Sequence, residues 1–316
     1  MCFMKRLIGL LAAFTLLVGM ATPCSADQDG YFTMLLMGTD MSAQAAAAAG
    51  GRFGHSDTMM LISINKTSGD VRMLGVQRDY ESDILDDGPN LLSAVSYYAG
   101  PEVAMMAVNQ LFKVNVSCYV AIDPDGMQKV VDALGGVDVE ILSSDLYITL
   151  DGGAKAFTAA GTQHCDGAQI RALVSTNVTA DGSSQDPSVR SERQRRAMSA
   201  LMGKALSGDK NQLISFATAA ILSVKTNINL SDMLALADPL LSGKVHQPQY
   251  AHSPLTPSSV QPINGHDLTV AEDMGLEVAS AQAFLYPDVY AAPTPNPTFV
   301  PAAPENSLTE TPAAAS

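Results

Sequence analysis

The 316-residue sequence has no tryptophan, only four cysteines, and 18 basic residues against 32 acidic ones. Each shortage removes a class of function. A net charge of −14 and a pI of about 4.6 exclude a nucleic-acid partner, because phosphate backbones are held by arrays of Lys and Arg. Without tryptophan, any aromatic platform for a sugar must be built from Tyr or Phe. Charged residues make up only 16% of the chain and hydrophobic ones 47%, which excludes disorder over most of the length. The chain is long enough for one large core or two modest ones.

Part of the apolar excess lies at the N-terminus. Lys5-Arg6 precedes an apolar run from Leu7 to Met20, and Pro23-Cys24-Ser25-Ala26 follows with small residues at a signal-peptidase spacing. The run falls short of the ~20 apolar residues that a spanning helix needs. Residues 1–26 therefore read as a cleaved signal peptide first and an N-terminal membrane anchor second. Either puts the working domain outside the cytoplasm, secreted or anchored at the outer face of the membrane. Cys118 and Cys165 remain in the mature domain, and whether they pair is left open by the sequence.

The chain is organised around Asp57 to Asp79. Two β-rich runs, Asp57 to Ile64 and Val71 to Asp79, flank a Lys66-Thr67-Ser68-Gly69-Asp70 turn and predict a hairpin. In an antiparallel pair the start of one strand lies beside the end of the next, so Asp57 and Arg78 share a rim. The upstream run Phe32 to Asp40 is another apolar strand ending in a carboxylate. Asp40, Asp57 and Arg78 at three strand ends suit a divalent metal and a phosphate. Any one of them alone reads more simply as a solvated strand-end charge.

Further along, Ala43–Gly51 is a low-complexity stretch, either a short helix or a loop beside this rim. Asp83–Pro89 reads as a turn-rich loop. Helices are expected over Leu91–Tyr98 and Glu102–Phe112, and from Pro124 to Leu134 after Asp123. Strands are expected at Cys118–Ile122 and Val137–Ile141. Asp151–His164 reads as loop, Asp166–Val174 as helix and Thr176–Val189 as a polar loop. Later helices are predicted over 189–206, 212–224, 231–241 and up to Leu285, with short strands at Tyr250–Leu255 and Leu268–Val270. From Ala291 the chain is rich in Pro, Ala and Thr and lacks the apolar residues to fold. The alternation predicts an α/β or α+β domain with helices covering a sheet.

Arg190-Ser191-Glu192-Arg193-Gln194-Arg195-Arg196 gathers four arginines at a helix start. Arginine there opposes the helix dipole, so helix preference does not explain it. Arg190, Arg193 and Gln194 share a face by spacing, and guanidinium groups beside free backbone N–H groups receive phosphate well. The plainer reading is a basic face solvated and paired with Glu192 and Asp186.

Gly38-Thr39-Asp40, Ser56-Asp57-Thr58, Arg78-Asp79, Val130-Val131-Asp132-Ala133-Leu134-Gly135-Gly136-Val137-Asp138-Val139, Asp166-Gly167 and Asp186…Arg190…Arg193-Gln194 occur in that order. With them the chain resembles the LytR-CpsA-Psr family of bacterial cell-envelope proteins from about Phe32 to Leu285. The resemblance implies an α/β fold: a central mixed sheet with helices packed on both faces, spanning residues 27–290 before a disordered tail at 291–316. It implies transfer of a phospho-glycopolymer from a polyprenyl-pyrophosphate lipid to peptidoglycan, near a membrane surface, with Mg2+ as cofactor. The alternative is a non-catalytic relative that binds lipid-linked envelope precursors. By the resemblance, Asp40 and Asp57 hold the metal and one of them activates the acceptor hydroxyl. Arg78, Arg190, Arg193 and Gln194 hold the pyrophosphate. The chain departs from the family pattern where Ser175 and Asn177 replace an Arg pair, and Asn90 and Leu92 replace a Lys-x-Asn motif. Gln77 stands for Pro and His55 for Arg, with Arg52 nearby as a substitute cation.

Overall fold

A computed structural model describes residues 30–85, 90–176, 178, 187–207, 223–228 and 248–293. The export segment, the tail beyond 293, the expected helices over 212–222 and 231–241, residues 86–89, Asn177 and Asp186 lie outside the described residues.

The first strand, β1 (Tyr31–Thr39), is followed by helix α1 (Ala43–Ala48) and strands β2 (Ser56–Asn65) and β3 (Val71–Val76). The β2–β3 pair is the expected hairpin, with Asn65 accepting from the turn amides of Thr67 and Ser68. Short strands β4 (Glu81–Ser82) and β5 (Asn90–Leu91) pair, and helices α2 (Val95–Ala99) and α3 (Pro101–Phe112) follow. Next come β6 (Cys118–Ile122), α4 (Pro124–Ala133), β7 (Val137–Ile141), a 3₁₀ turn over Ser143–Tyr147, β8 (Gly161–Cys165), α5 (Gly167–Ser175) and α6 (Pro187–Ser207). The last elements are β9 (Val224–Thr226), β10 (Gln249–His252), β11 (Ser258–Ile263), β12 (His266–Ala271) and α7 (Met274–Leu285).

Six strands form the central sheet in the order β10-β3-β2-β1-β6-β9. It is mixed: β1 runs parallel to β6 and β10 parallel to β3, while the remaining pairs are antiparallel. β2 is buried along all ten residues and β1 along all but one, as expected of strands covered on both faces. Alternate side chains serve opposite cores. Phe32, Leu36, Met60 and Ile62 pack toward α4, α5 and α6, whereas Leu35, Met37, Met59 and Leu61 pack toward α2, α3 and α7. Each fully buried aliphatic side chain contributes about 1.5–3 kcal/mol.

The helix starts are written in the sequence. Asp123 caps α4 by accepting from Gly126 N at 2.6 Å, with Pro124 in the first turn. Asp166 and Gln169 form a capping box on α5. Leu91 and Val224, expected in helices, instead lie in β5 and β9, paired with β4 and β6. Two further pairings also differ from expectation. β8 pairs with β7 inside the stretch read as loop, and β11 pairs with β12. Both are mostly exposed and polar, so neither shows the apolar alternation that reveals a strand. Cys165 is a buried free thiol, so no Cys118–Cys165 disulfide forms.

Candidate functional site

The sheet order places the ends of β1, β2 and β3 side by side, and α6 crosses the same rim. Arg78 Nη1 donates to Asp57 Oδ1 at 2.6 Å. Arg190, from the first turns of α6, donates to Asp57 Oδ2 through Nε at 2.9 Å and Nη2 at 2.6 Å. The same Nη2 lies 3.3 Å from Asp40 Oδ2. Asp40, Asp57, Arg78 and Arg190 thus come together, and the Asp57 side chain is only 2% exposed.

Asp40 is tightly seated. Its Oδ1 accepts from His55 N at 2.8 Å, and a Cβ on Gly54 would lie 2.6 Å from that same oxygen, so position 54 tolerates only glycine. Desolvation pushes the Asp40 carboxyl up, but the His55 hydrogen bond and charge, with Arg190, win and hold it below the usual carboxylate range. Asp79 goes the other way. Burial raises it and the Asp57 charge adds to this, against the opposing Arg78 guanidinium at 3.0 Å.

The other expected residues are placed differently. Gln194 lies beneath the cluster with its amide engaged at both ends: Thr58 Oγ1 donates to its Oε1, and its Nε2 donates to Val174 O, each at 3.1 Å. Arg193, expected on the phosphate-binding face, is turned away from it. Its guanidinium is 1% exposed and donates to Asp145 Oδ1 at 2.7 Å and to the carbonyls of Thr176 and Ser144 at 3.0 Å. It ties α6 to the 3₁₀ turn over Ser143–Tyr147. Arg52 packs over the Tyr97 ring at 5.1 Å from its centroid, and His55 stacks on Tyr97 at 4.8 Å.

Two cavities flank the ion cluster. One, of about 260 Å3, is lined by Thr39, Arg52, Asp123 and Lys225. The other, of about 400 Å3, has Asp57, Arg78, Asp79, Glu192, Arg195 and His252 in its wall. Glu192 and Arg195 belong to the arginine-rich helix start noted in the sequence, whereas His252 is not singled out there. The available signal was position, since His252 falls in a strand expected at Tyr250–Leu255.

Asp40 and Asp57 are two carboxylates meeting at one guanidinium nitrogen. Among the described residues no group of three or more His, Cys, Asp or Glu side chains forms a closed metal cage. Two carboxylates are the donor set of a magnesium ion that shares its shell with substrate phosphate and water, so the residues fit that ion and not an all-protein site.

The sequence profile of the LytR_cpsA_psr family matches residues 18–272. Biofilm regulatory protein A of Streptococcus mutans is 26% identical over 289 residues, which cover 83% of this chain and 70% of that one. The polyisoprenyl-teichoic acid–peptidoglycan teichoic acid transferase TagU of Bacillus mycoides is 29% identical over 205 residues, 64% of this chain and 62% of its own length. Among solved structures, TagV of B. subtilis superposes with a TM-score of 0.62 at 19% identity, covering 82% of this chain and 98% of that one. TagT bound to LIIa-WTA gives 0.60 at 20% identity, covering 81% and 91%. These superpositions establish the shared fold.

Proposed function

This chain belongs to the LytR_cpsA_psr family, and from that premise we propose that it transfers a phospho-glycopolymer from a polyprenyl-pyrophosphate carrier to peptidoglycan. The observation that carries this reading is Asp57 bracketed by Arg78 and Arg190, with Asp40 on the same guanidinium. Phosphoryl transfer demands positioning and charge neutralisation more than a covalent nucleophile. Two guanidinium groups at one rim supply fork-shaped donors for a pyrophosphate. Relatives named as polyisoprenyl-teichoic acid–peptidoglycan teichoic acid transferases support the same chemistry.

In the reaction, an acceptor hydroxyl oxygen forms a bond to the phosphorus that bears the glycan. The bond from that phosphorus to the bridging oxygen breaks, and its electron pair leaves with the polyprenyl phosphate. Arg78 and Arg190 orient the pyrophosphate and offset its charge. Asp40 and Asp57 would hold magnesium, which when bound neutralises phosphate oxygens. Gln194, through Thr58 and Val174, braces α6 against the sheet. The work is assigned to the outer face of the cytoplasmic membrane, with residues 1–26 as signal or anchor. No helix among the described residues is long and apolar enough to cross a membrane.

The replacement of a family Arg pair by Ser175 and Asn177 favours a second reading, a protein that binds lipid-linked precursors without turning them over. The deciding experiment offers the purified protein a synthetic polyprenyl-pyrophosphoryl disaccharide, uncrosslinked peptidoglycan oligomers and magnesium. Transfer of the phospho-disaccharide to peptidoglycan supports the transferase. Binding of the lipid with no product supports the binder.

A further inference from the structure

The 400 Å3 cavity beside Asp57 is a built feature with an imidazole in its wall. His252 ends β10, directly opposite Gly75 of β3. A Cβ on Gly75 would meet His252 Cδ2 at 2.6 Å, so the missing side chain lets the ring lie against the sheet. The next residue locks the register: Ser253 N donates to Gly75 O at 2.8 Å, and Ser253 Oγ accepts from Gln77 N at 3.1 Å. The ring is thereby fixed relative to Arg78, one residue further along.

The other titratable groups of this cavity are committed elsewhere. Asp57 accepts three guanidinium hydrogen bonds. Asp79 is ion-paired with Arg78, its Oδ1 3.0 Å from Nε, and its Oδ2 accepts from Gln77 Nε2. Glu192 is paired with Arg195 and lies 3.5 Å from Arg196. On the sheet side, crowding desolvates His252 and lowers its pKa, and the Arg195 charge adds to this against the Ser253 backbone and Glu192. At neutral pH the cavity therefore presents an uncharged imidazole in the same wall as Arg78, one of the two arginines assigned to the pyrophosphate.

We propose that this cavity receives the acceptor, a sugar hydroxyl of peptidoglycan, and that His252 is its general base. The inference rests on the transferase reading above. The hydroxyl proton passes to a His252 ring nitrogen as the oxygen bonds to phosphorus and the bridging P–O bond breaks. The imidazolium, facing Glu192 and Asp79, then returns the proton to solvent. This moves the activating role away from Asp40 and Asp57, whose oxygens are engaged with Arg78, Arg190 and the His55 amide.

The test compares wild type, His252→Gln and His252→Ala in the full chain, with two readouts. Binding of polyprenyl pyrophosphate should stay within about twofold in all three, since His252 lies on the acceptor side. Transfer to peptidoglycan oligomers should fall by about 10²–10⁴-fold in both variants, the usual contribution of a general base. The acid limb of the rate–pH profile should disappear in His252→Gln, and added imidazole should partly restore His252→Ala. Wild-type transfer with an unchanged rate and acid limb in His252→Gln overturns the assignment of His252 alone. Lipid binding without any wild-type transfer overturns the transferase reading, and the base with it.

Discussion

Arg190 reaches across the sheet rim to hold Asp57 Oδ2 with two of its nitrogens, at 2.9 and 2.6 Å, from 133 residues away in the chain. Arg78 holds the other oxygen. One nearly buried carboxylate therefore fixes the positions of two cations that sequence alone places far apart. Asp57 is both a member of the site and the reason for its geometry.

Replacing that carboxylate should cost stability as well as function. Asp57→Asn leaves two partly buried guanidinium groups short of their counter-charge, a loss on the order of 3–5 kcal/mol for a buried pair broken on one side. Denaturant unfolding should show the lower midpoint with an unchanged slope. A midpoint equal to wild type would mean that solvent already compensates both arginines.

Arg193 and Arg190 should separate cleanly. Arg193→Ala leaves Asp145, 0% exposed, without one of its two guanidinium partners and should destabilise the fold by about 3–5 kcal/mol. Arg190→Ala should chiefly weaken binding of a polyprenyl pyrophosphate. Thermal unfolding and lipid binding measured on both variants check this. A folded, fully stable Arg193→Ala with impaired binding would return Arg193 to the site.

Asp79 gives a pH signature. Its pKa is raised by burial first and by the Asp57 charge, against Arg78. A carboxyl with a folded pKa above its unfolded value destabilises the fold when ionised. That penalty is complete above the folded pKa and vanishes as pH falls below the unfolded one. Asp79→Asn should therefore raise the melting temperature at pH 7, with the advantage over wild type shrinking as pH falls through the acidic range. A lower melting temperature for the variant at pH 7 would show that the Arg78 contact outweighs the burial.

Much of this architecture is legible in the sequence, for physical reasons. The apolar runs of β1 and β2, the Ser68-Gly69-Asp70 turn and the Asp123-Pro124 helix start each carry a local signal. Asp40, Asp57 and Arg78 could be aligned because strand pairing converts sequence position into a shared rim. Helical spacing brought Arg190 and Gln194 to one face and grouped Arg193 with them. Spacing cannot reveal a partner such as Asp145, 48 residues upstream, which draws Arg193 to the opposite wall. β8 and β11 were silent because exposed polar strands lack alternation. His252 acquires its place only through β10 docking parallel to β3, a pairing across more than 170 residues.

The thiol of Cys165 offers a simple check on the fold. Burial pushes its pKa up to about 11, with the nearby Asp166 and Asp138 charges adding to it. The native protein should leave this thiol unreactive toward an aromatic disulfide reagent at pH 8, and denaturant should release it. Rapid labelling of Cys165 in the native protein would contradict its place behind β7 and α5.

The most direct test of the central claim is binding of a polyprenyl pyrophosphate to the purified protein, with magnesium and with EDTA, for wild type, Arg78→Ala and Arg190→Ala. Each arginine supplies charge-assisted hydrogen bonds worth about 1.5–3 kcal/mol, so each variant should bind about 10–150-fold more weakly. EDTA should weaken the wild type as well. Wild-type affinity that ignores EDTA and both substitutions would contradict a pyrophosphate site at Asp40, Asp57, Arg78 and Arg190.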